Sequence, residues 1–157
     1  MRPEEAMKFE NFEKIIEFAI EKEREAVRFY EELSSQEAYS AGKERFIEFA
    51  GEERKHEEML RNLTKENLKH HETQPVPDLK RSDYVVDFNY SPGLPYSDVL
   101  ILAAKREEKA LALYSALAEK AEIEEHRKIF DFLAREEAKH KFALETILDD
   151  YMAKIGD

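Results

Sequence analysis

The chain has 157 residues, a formal charge of −11, 42% hydrophobic and 39% charged residues, only 4 Gly and 5 Pro, and no Cys. That length suits a single domain, expected to span 1–157, and the composition is that of a few long amphipathic helices. The acidic balance argues against nucleic acid and anionic membranes as partners, the missing cysteine excludes disulfides, thiolate metal sites and cysteine nucleophiles, and the longest apolar run, Val99 to Ala104, is far shorter than the roughly 20 residues that cross a bilayer.

The opening MRPEEAMKFE carries acids where a secretory signal has a basic patch and an apolar stretch, so a cytoplasmic protein is expected. From Phe12 onward, Phe12, Ile16, Ala19, Glu23, Ala26, Tyr30 and Leu33 recur at steps of three and four and share one face of a first helix. A second series, Phe46, Phe49, Glu53, His56, Leu60 and Leu63, follows Ser40, which suits an N-cap; the two helices make a pair over about 9–66. From about 67 to 96, Pro75, Pro77, Pro92, Gly93 and Pro95 forbid a continuous helix, while Tyr84, Val85, Val86, Phe88 and Tyr90 favour a packed crossover over a bare linker. The third helix reads Val99, Ala103, Glu107, Ala110, Tyr114, Leu117 and Ala121, with Ser97 and Asp98 suited to its start. The fourth reads Phe130, Leu133, Glu137, His140, Leu144, Ile147 and Tyr151, and its junction with the third near Glu122 has neither Gly nor Pro, so the second pair covers about 97–153. Two short connections and one long one give an all-α, ferritin-like four-helix bundle with a long crossover between the second and third helices.

The two halves repeat. Glu23 and Glu107, Glu53 and Glu137, His56 and His140, Tyr30 and Tyr114, and Phe46 and Phe130 are each 84 positions apart, as a duplicated hairpin requires. Four of the 36 acids, Glu23, Glu53, Glu107 and Glu137, fall on the buried seams, where an uncompensated carboxylate costs several kcal/mol or more. The ionisable companions on those seams are His56 and His140, each one turn after a seam glutamate in a Glu-x-x-His pair, so carboxylate and imidazole reach one interior point. One Glu from each of two helices and a Glu-x-x-His from each of the others is the donor set of ferritin-like di-iron and di-manganese bundles. Four carboxylates of about −4 balance two divalent ions of +4, and mixed carboxylate and imidazole donors suit iron or manganese while admitting zinc. Tyr30 and Tyr114, two turns after Glu23 and Glu107, are read first as core aromatics, with a hydrogen bond to a ligand or a one-electron relay as the functional alternative. His70, His71 and His126 are expected to be solvated, as are Glu21, Glu25, Glu52, Glu108 and Glu136 beside the ligands.

AIEKEREAVRFYEEL, the EERKH of the second helix, AAKREEKALALYSALA and the EEAKH of the fourth resemble the rubrerythrin-type ferritin-like proteins over nearly all of the chain outside the crossover. The resemblance implies two iron ions, with Glu23 and Glu107 as terminal carboxylate ligands, Glu53 and Glu137 as bridging carboxylates and His56 and His140 as imidazole ligands. It implies an oxidoreductase of peroxidase or ferroxidase type acting on hydrogen peroxide or dioxygen, and pairing of bundles into a homo-oligomer. Two departures stand out. Ala110 occupies the place of a second glutamate one turn after Glu107, which removes the carboxylate needed to switch with histidine, and without cysteine the chain cannot carry a rubredoxin domain, so electrons would come from a separate donor such as a rubredoxin. The alternatives are a non-catalytic iron-binding or storage module and a bundle in which metal only stabilises the fold.

Overall fold

In the computed structural model the described residues are 8–70, 78–86 and 90–155, with the side chains of 66–70 outside the description. Four long helices carry the fold: α1 Phe12–Ser35, α2 Lys43–His70, α3 Tyr96–Lys120 and α4 Glu124–Ile155. Among the described residues the extended structure is one isolated bridge, Lys8 with Lys80.

The helix ends follow local chemistry, and they revise several expected boundaries. The first pair runs from Phe12 to His70 rather than from about 9 to 66, because Asn11 caps α1, its Oδ1 accepting from the Lys14 amide at 2.9 Å. At the other end nothing between Leu63 and His70 breaks a helix, so α2 continues. Ser40 is not an N-cap. It lies in the 3₁₀ turn Glu37–Gly42, which is pinned by buried Tyr39, whose hydroxyl donates to the Leu94 carbonyl at 2.6 Å. Gly42 is required there for space, since a Cβ would lie 2.6 Å from the Tyr96 hydroxyl and 2.8 Å from Phe46 Cε2. The second pair begins at Tyr96 behind Pro95, whose φ of −55° already matches a helix, with Asp98 in the first turn; it ends at Ile155 rather than about 153. At the α3–α4 junction no glycine is needed, because the Arg127 guanidinium donates to the Ala121 carbonyl at 2.9 Å and pairs with Glu124 at 3.0 Å.

The core divides into two apolar clusters, and their membership gives the topology. One joins Phe12, Ile15 and Ile16 at the start of α1 with Leu60 and Leu63 late in α2, Leu113 and Leu117 late in α3, and Phe130 and Leu133 at the start of α4. The other joins Phe29 and Leu33 of α1, Phe46 and Phe49 of α2, Val99 and Leu102 of α3, and Leu144 of α4. α1 and α4 therefore run one way, α2 and α3 the other, and α1 packs on α3 as α2 packs on α4. The chain is thus a ferritin-like all-α bundle rather than a simple up-down-up-down one.

The crossover packs along the bundle. Leu79, Tyr84 and Val85 lie against the first cluster, and Val86, Tyr90 and Leu94 against the second. Phe88, His71, Pro75, Pro77 and the His70 side chain lie outside the described residues. His126 departs from expectation: it is buried rather than solvated, its ring stacked on Phe12 at 5.8 Å between centroids, because the first turn of α4 faces the start of α1.

Candidate metal centre

Between the two apolar clusters lies one polar layer. Glu23 from α1, Glu53 and His56 from α2, Glu107 from α3, and Glu137 and His140 from α4 converge there, exposed by no more than the 3% of His140. Each helix delivers its residues from the middle of its length, where helical spacing places them on the same seam as the leucines and phenylalanines of both clusters. All six residues singled out in the sequence are brought together.

The six form two overlapping groups of four, each with ligand atoms within 4.8 Å of one another: Glu23, Glu53, His56 and Glu137, and Glu53, Glu107, Glu137 and His140. Glu53 and Glu137 belong to both, and the 84-residue repeat exchanges one group for the other. Both imidazoles present Nδ1 to the interior. His56 Nδ1 is 2.7 Å from Glu137, 3.2 Å from Glu53 and 3.8 Å from Glu23; His140 Nδ1 is 3.2 Å from Glu53 and 3.6 Å from Glu107. The rings lie 6.1 Å apart and nearly parallel.

These atoms are close without satisfying one another. Glu23 Oε2, Glu53 Oε1, Glu107 Oε2, both Glu137 oxygens and Nδ1 of both histidines are buried without a hydrogen-bond partner. Leaving so many buried polar atoms unpaired would cost on the order of 1–3 kcal/mol each, and cations at the two foci would satisfy them together. The residues therefore fit a pair of metal ions held by oxygen and nitrogen.

Burial and the mutual charges of the six residues set how the cluster titrates. Burial, and then the neighbouring Glu53, push the Glu23 carboxyl up to about 8. Burial followed by the charges of Glu107 and Glu53 holds Glu137 well above the usual carboxylate range. Burial also works to raise Glu53, but the two imidazoles beside it outweigh that and hold it lower. Burial would lower both imidazoles, yet Glu23 and Glu53 raise His56 to about 10, and Glu107 and Glu53 raise His140 to about 11. The raised carboxyls of Glu23 and Glu137 and the raised imidazoles favour protons that offset the charge of the buried layer, and a metal ion would compete with those protons.

Neighbouring side chains orient the cluster. The Tyr30 hydroxyl donates to Glu107 Oε1 and the Tyr114 hydroxyl to Glu23 Oε1, each at 2.6 Å and each across to the other hairpin. Both readings of these tyrosines hold: they pack in the two apolar clusters and also donate to the two carboxylates, because α1 and α3 lie side by side. Burial, then the charge of Glu107 at Tyr30 and of Glu23 at Tyr114, raises both phenols well above their ordinary range, so they remain donors. Tyr30→Phe and Tyr114→Phe should each cost about 1–2 kcal/mol of stability, read by urea unfolding, because a buried carboxylate oxygen loses its donor. An unchanged unfolding midpoint would remove this role.

Glu52 is not simply solvated. It contacts His140 Nε2 from outside the layer, a carboxylate set to hold the tautomer that leaves Nδ1 free for a metal. Its repeat mate Glu136, half-buried rather than solvated as expected, instead pairs with Lys139 at 3.1 Å. Glu52→Ala should weaken metal binding at the Glu107 and His140 end by about 10- to 100-fold, measured by competition with a chelator. Arg106, which sequence reasoning passed over, lies next to Glu107 with its Nε buried and without a hydrogen-bond partner. Its only signal in the sequence is that neighbour.

A pocket of about 250 Å³ opens between α1 and α3, beneath Tyr84 and Val86 of the crossover, onto Glu23, Glu53, Glu107 and Glu137. Small molecules can therefore reach the cluster from the side opposite the imidazoles, which α2 and α4 carry. No helix of the described residues is long and apolar enough to cross a membrane.

Comparison with known proteins agrees with this layout. No curated protein matches the chain. A solved structure of a hypothetical protein from Pyrococcus furiosus is similar, with a TM-score of 0.68, 27% sequence identity and 86% of each chain covered. The family model described as Rubrerythrin matches residues 1–82 and 98–156, with a gap from the crossover to the first two residues of α3. The chain belongs to the rubrerythrin family.

Proposed function

We propose that the chain is a di-iron carboxylate oxidoreductase that reduces hydrogen peroxide or dioxygen with electrons from a separate donor such as a rubredoxin. The observation that carries this reading is the buried layer of four carboxylates and two imidazoles whose inward atoms lack partners. Glu23 and His56 would hold one ion, Glu107 and His140 the other, with Glu53 and Glu137 shared between them. Two bound ferrous ions would supply two electrons, which with two protons suffice to cleave hydrogen peroxide to two waters or to take dioxygen only as far as peroxide. Glu53 and Glu137, shared by both groups, can shift their oxygens between the two positions as charge changes. Tyr30 and Tyr114 keep Glu107 and Glu23 fixed and retain their own protons, and Glu52 fixes the ring of His140. The two apolar clusters flank the layer at either end, and the α1–α3 pocket offers an entry to it.

The test is anaerobic loading with Fe(II), addition of peroxide, and measurement of iron oxidation and peroxide loss with and without reduced rubredoxin. Rapid oxidation of bound Fe(II), followed by peroxide loss that continues while reduced donor remains, is the expected result. A single oxidation that the donor cannot reverse would favour an iron-storage role, and slow oxidation no faster than free Fe(II) would leave metal a structural part only.

A further inference from the structure

The α1–α3 pocket is larger than the proposed oxidants need. Hydrogen peroxide fills roughly two water volumes, about 60 Å³, whereas a dry cavity of about 150 Å³ already accepts benzene. At about 250 Å³ this pocket has room for a ring or short alkyl chain together with a polar head, beyond what two metal ions on its floor would take.

Its walls also have a sign. Above the four ligand glutamates Glu23, Glu53, Glu107 and Glu137 on its floor, Lys22, Arg106 and Lys109 line it with one further acid, Glu25, in a chain whose formal charge is −11. Glu25 is engaged by Lys22 at 3.2 Å. Arg106 lies with its guanidinium 4.7 Å from the centroid of the Phe29 ring, and its buried Nε makes no hydrogen bond. A planar guanidinium held against an aromatic face, with a donor unused, is suited to a carboxylate. Phe18, Phe29 and Leu113 supply the apolar surface for the rest of such a molecule.

We propose that this pocket binds a small organic carboxylate with an apolar body, its head on Arg106 and its body lying between α1 and α3 above the metal layer. The inference names a substrate class for the site and rests on the di-metal reading for the floor of the pocket. Neutralised by two cations, the four carboxylates no longer repel an anion above them. Arg106 is then the group that separates acids from neutral molecules of the same shape.

The test uses the full chain loaded with zinc, which is redox-inert, titrated by calorimetry with benzoate and with benzyl alcohol. Benzoate should bind saturably and roughly tenfold or more tighter than benzyl alcohol, as a charge-assisted hydrogen bond provides. Arg106→Met, which keeps the stem over Phe29, should lose roughly that same factor, and Arg106→Lys should recover part of it. Absence of saturable benzoate binding, equal binding of the alcohol, or benzoate affinity undiminished in Arg106→Met would each overturn the proposal; the last would mean that benzoate binds the metal alone. Elemental analysis of the same samples separates the two readings. Two zinc ions per chain with no benzoate binding sinks this inference alone. A chain that holds no zinc sinks the di-metal reading, and benzoate binding to it must still weaken in Arg106→Met for the pocket assignment to stand.

Discussion

Glu53→Ala is expected to abolish binding at both metal positions at once, from about two ions per chain to well under one, whereas Glu23→Ala should spare about one. The difference follows from geometry: Glu53 Oε1 lies 3.2 Å from Nδ1 of both histidines and belongs to both groups of four, while Glu23 belongs to one. Removing Glu53 also strips two protonated imidazoles of their ionised partner, so the metal-free variant should lose about 3–5 kcal/mol. Glu137→Gln separates metal binding from folding. Burial and the charges of Glu107 and Glu53 hold Glu137 well above the carboxylate range, so an amide of the same shape should cost the metal-free protein less than Glu53→Ala does and still remove a shared ligand. Iron per chain after anaerobic loading and desalting, set beside urea unfolding of the metal-free proteins, reads both effects. Two retained ions in Glu53→Ala, or in Glu137→Gln, would show that these carboxylates are not shared.

The second large effect is a metal-dependent stability that grows with pH. In the metal-free protein Glu23 titrates near 8 rather than at its ordinary 4.5, so above pH 4.5 unfolding releases its proton and native stability falls as pH rises. His56 and His140, raised to about 10 and 11, hold protons that the unfolded chain gives up above pH 6.5, and they act in the same direction. Glu53, held low, works the opposite way but only below pH 4.5. Between pH 5 and 8 the metal-free protein should therefore lose several kcal/mol, on the order of 10 °C in Tm. Metal binding would displace those same protons and so strengthen over the same range. The gap in Tm between metal-loaded and metal-free protein should widen from pH 5 to pH 8, and the loading heat should vary with the ionisation enthalpy of the buffer. A metal-free Tm that stays level or climbs over that range would contradict the buried, proton-compensated layer.

Much of this protein is legible in one dimension because helical period and duplication are both one-dimensional signals. A seam position is defined by spacing along one helix, so Glu23, Glu53, His56, Glu107, Glu137 and His140 are set apart from the other acids before any helix is packed. The length of the crossover, with its prolines, likewise dictates that the second hairpin starts where the chain has returned along the bundle. Ends of helices are less legible. Tyr39, Gly42 and Tyr96 are far apart in sequence, and only their packing makes the turn before α2 a 3₁₀ turn and leaves Ser40 without a capping role.

What the tertiary structure alone decided is which neighbours cross from one helix to another. Glu52 follows the rule for a solvated face on α2, and it touches His140 because α4 lies beside that face. Its repeat mate Glu136 has the same sequence context and a different partner, so an identical spacing yields two unlike surroundings. Tyr30 and Tyr114 reach carboxylates 77 and 91 positions away, and His126 is buried by the start of α1. Arg106 belongs to a pocket only because Phe29 and the crossover close around it. The period of a helix says which way a side chain points from its own axis; what it meets there is set by the distance and register of the helix opposite, which no spacing within one helix encodes.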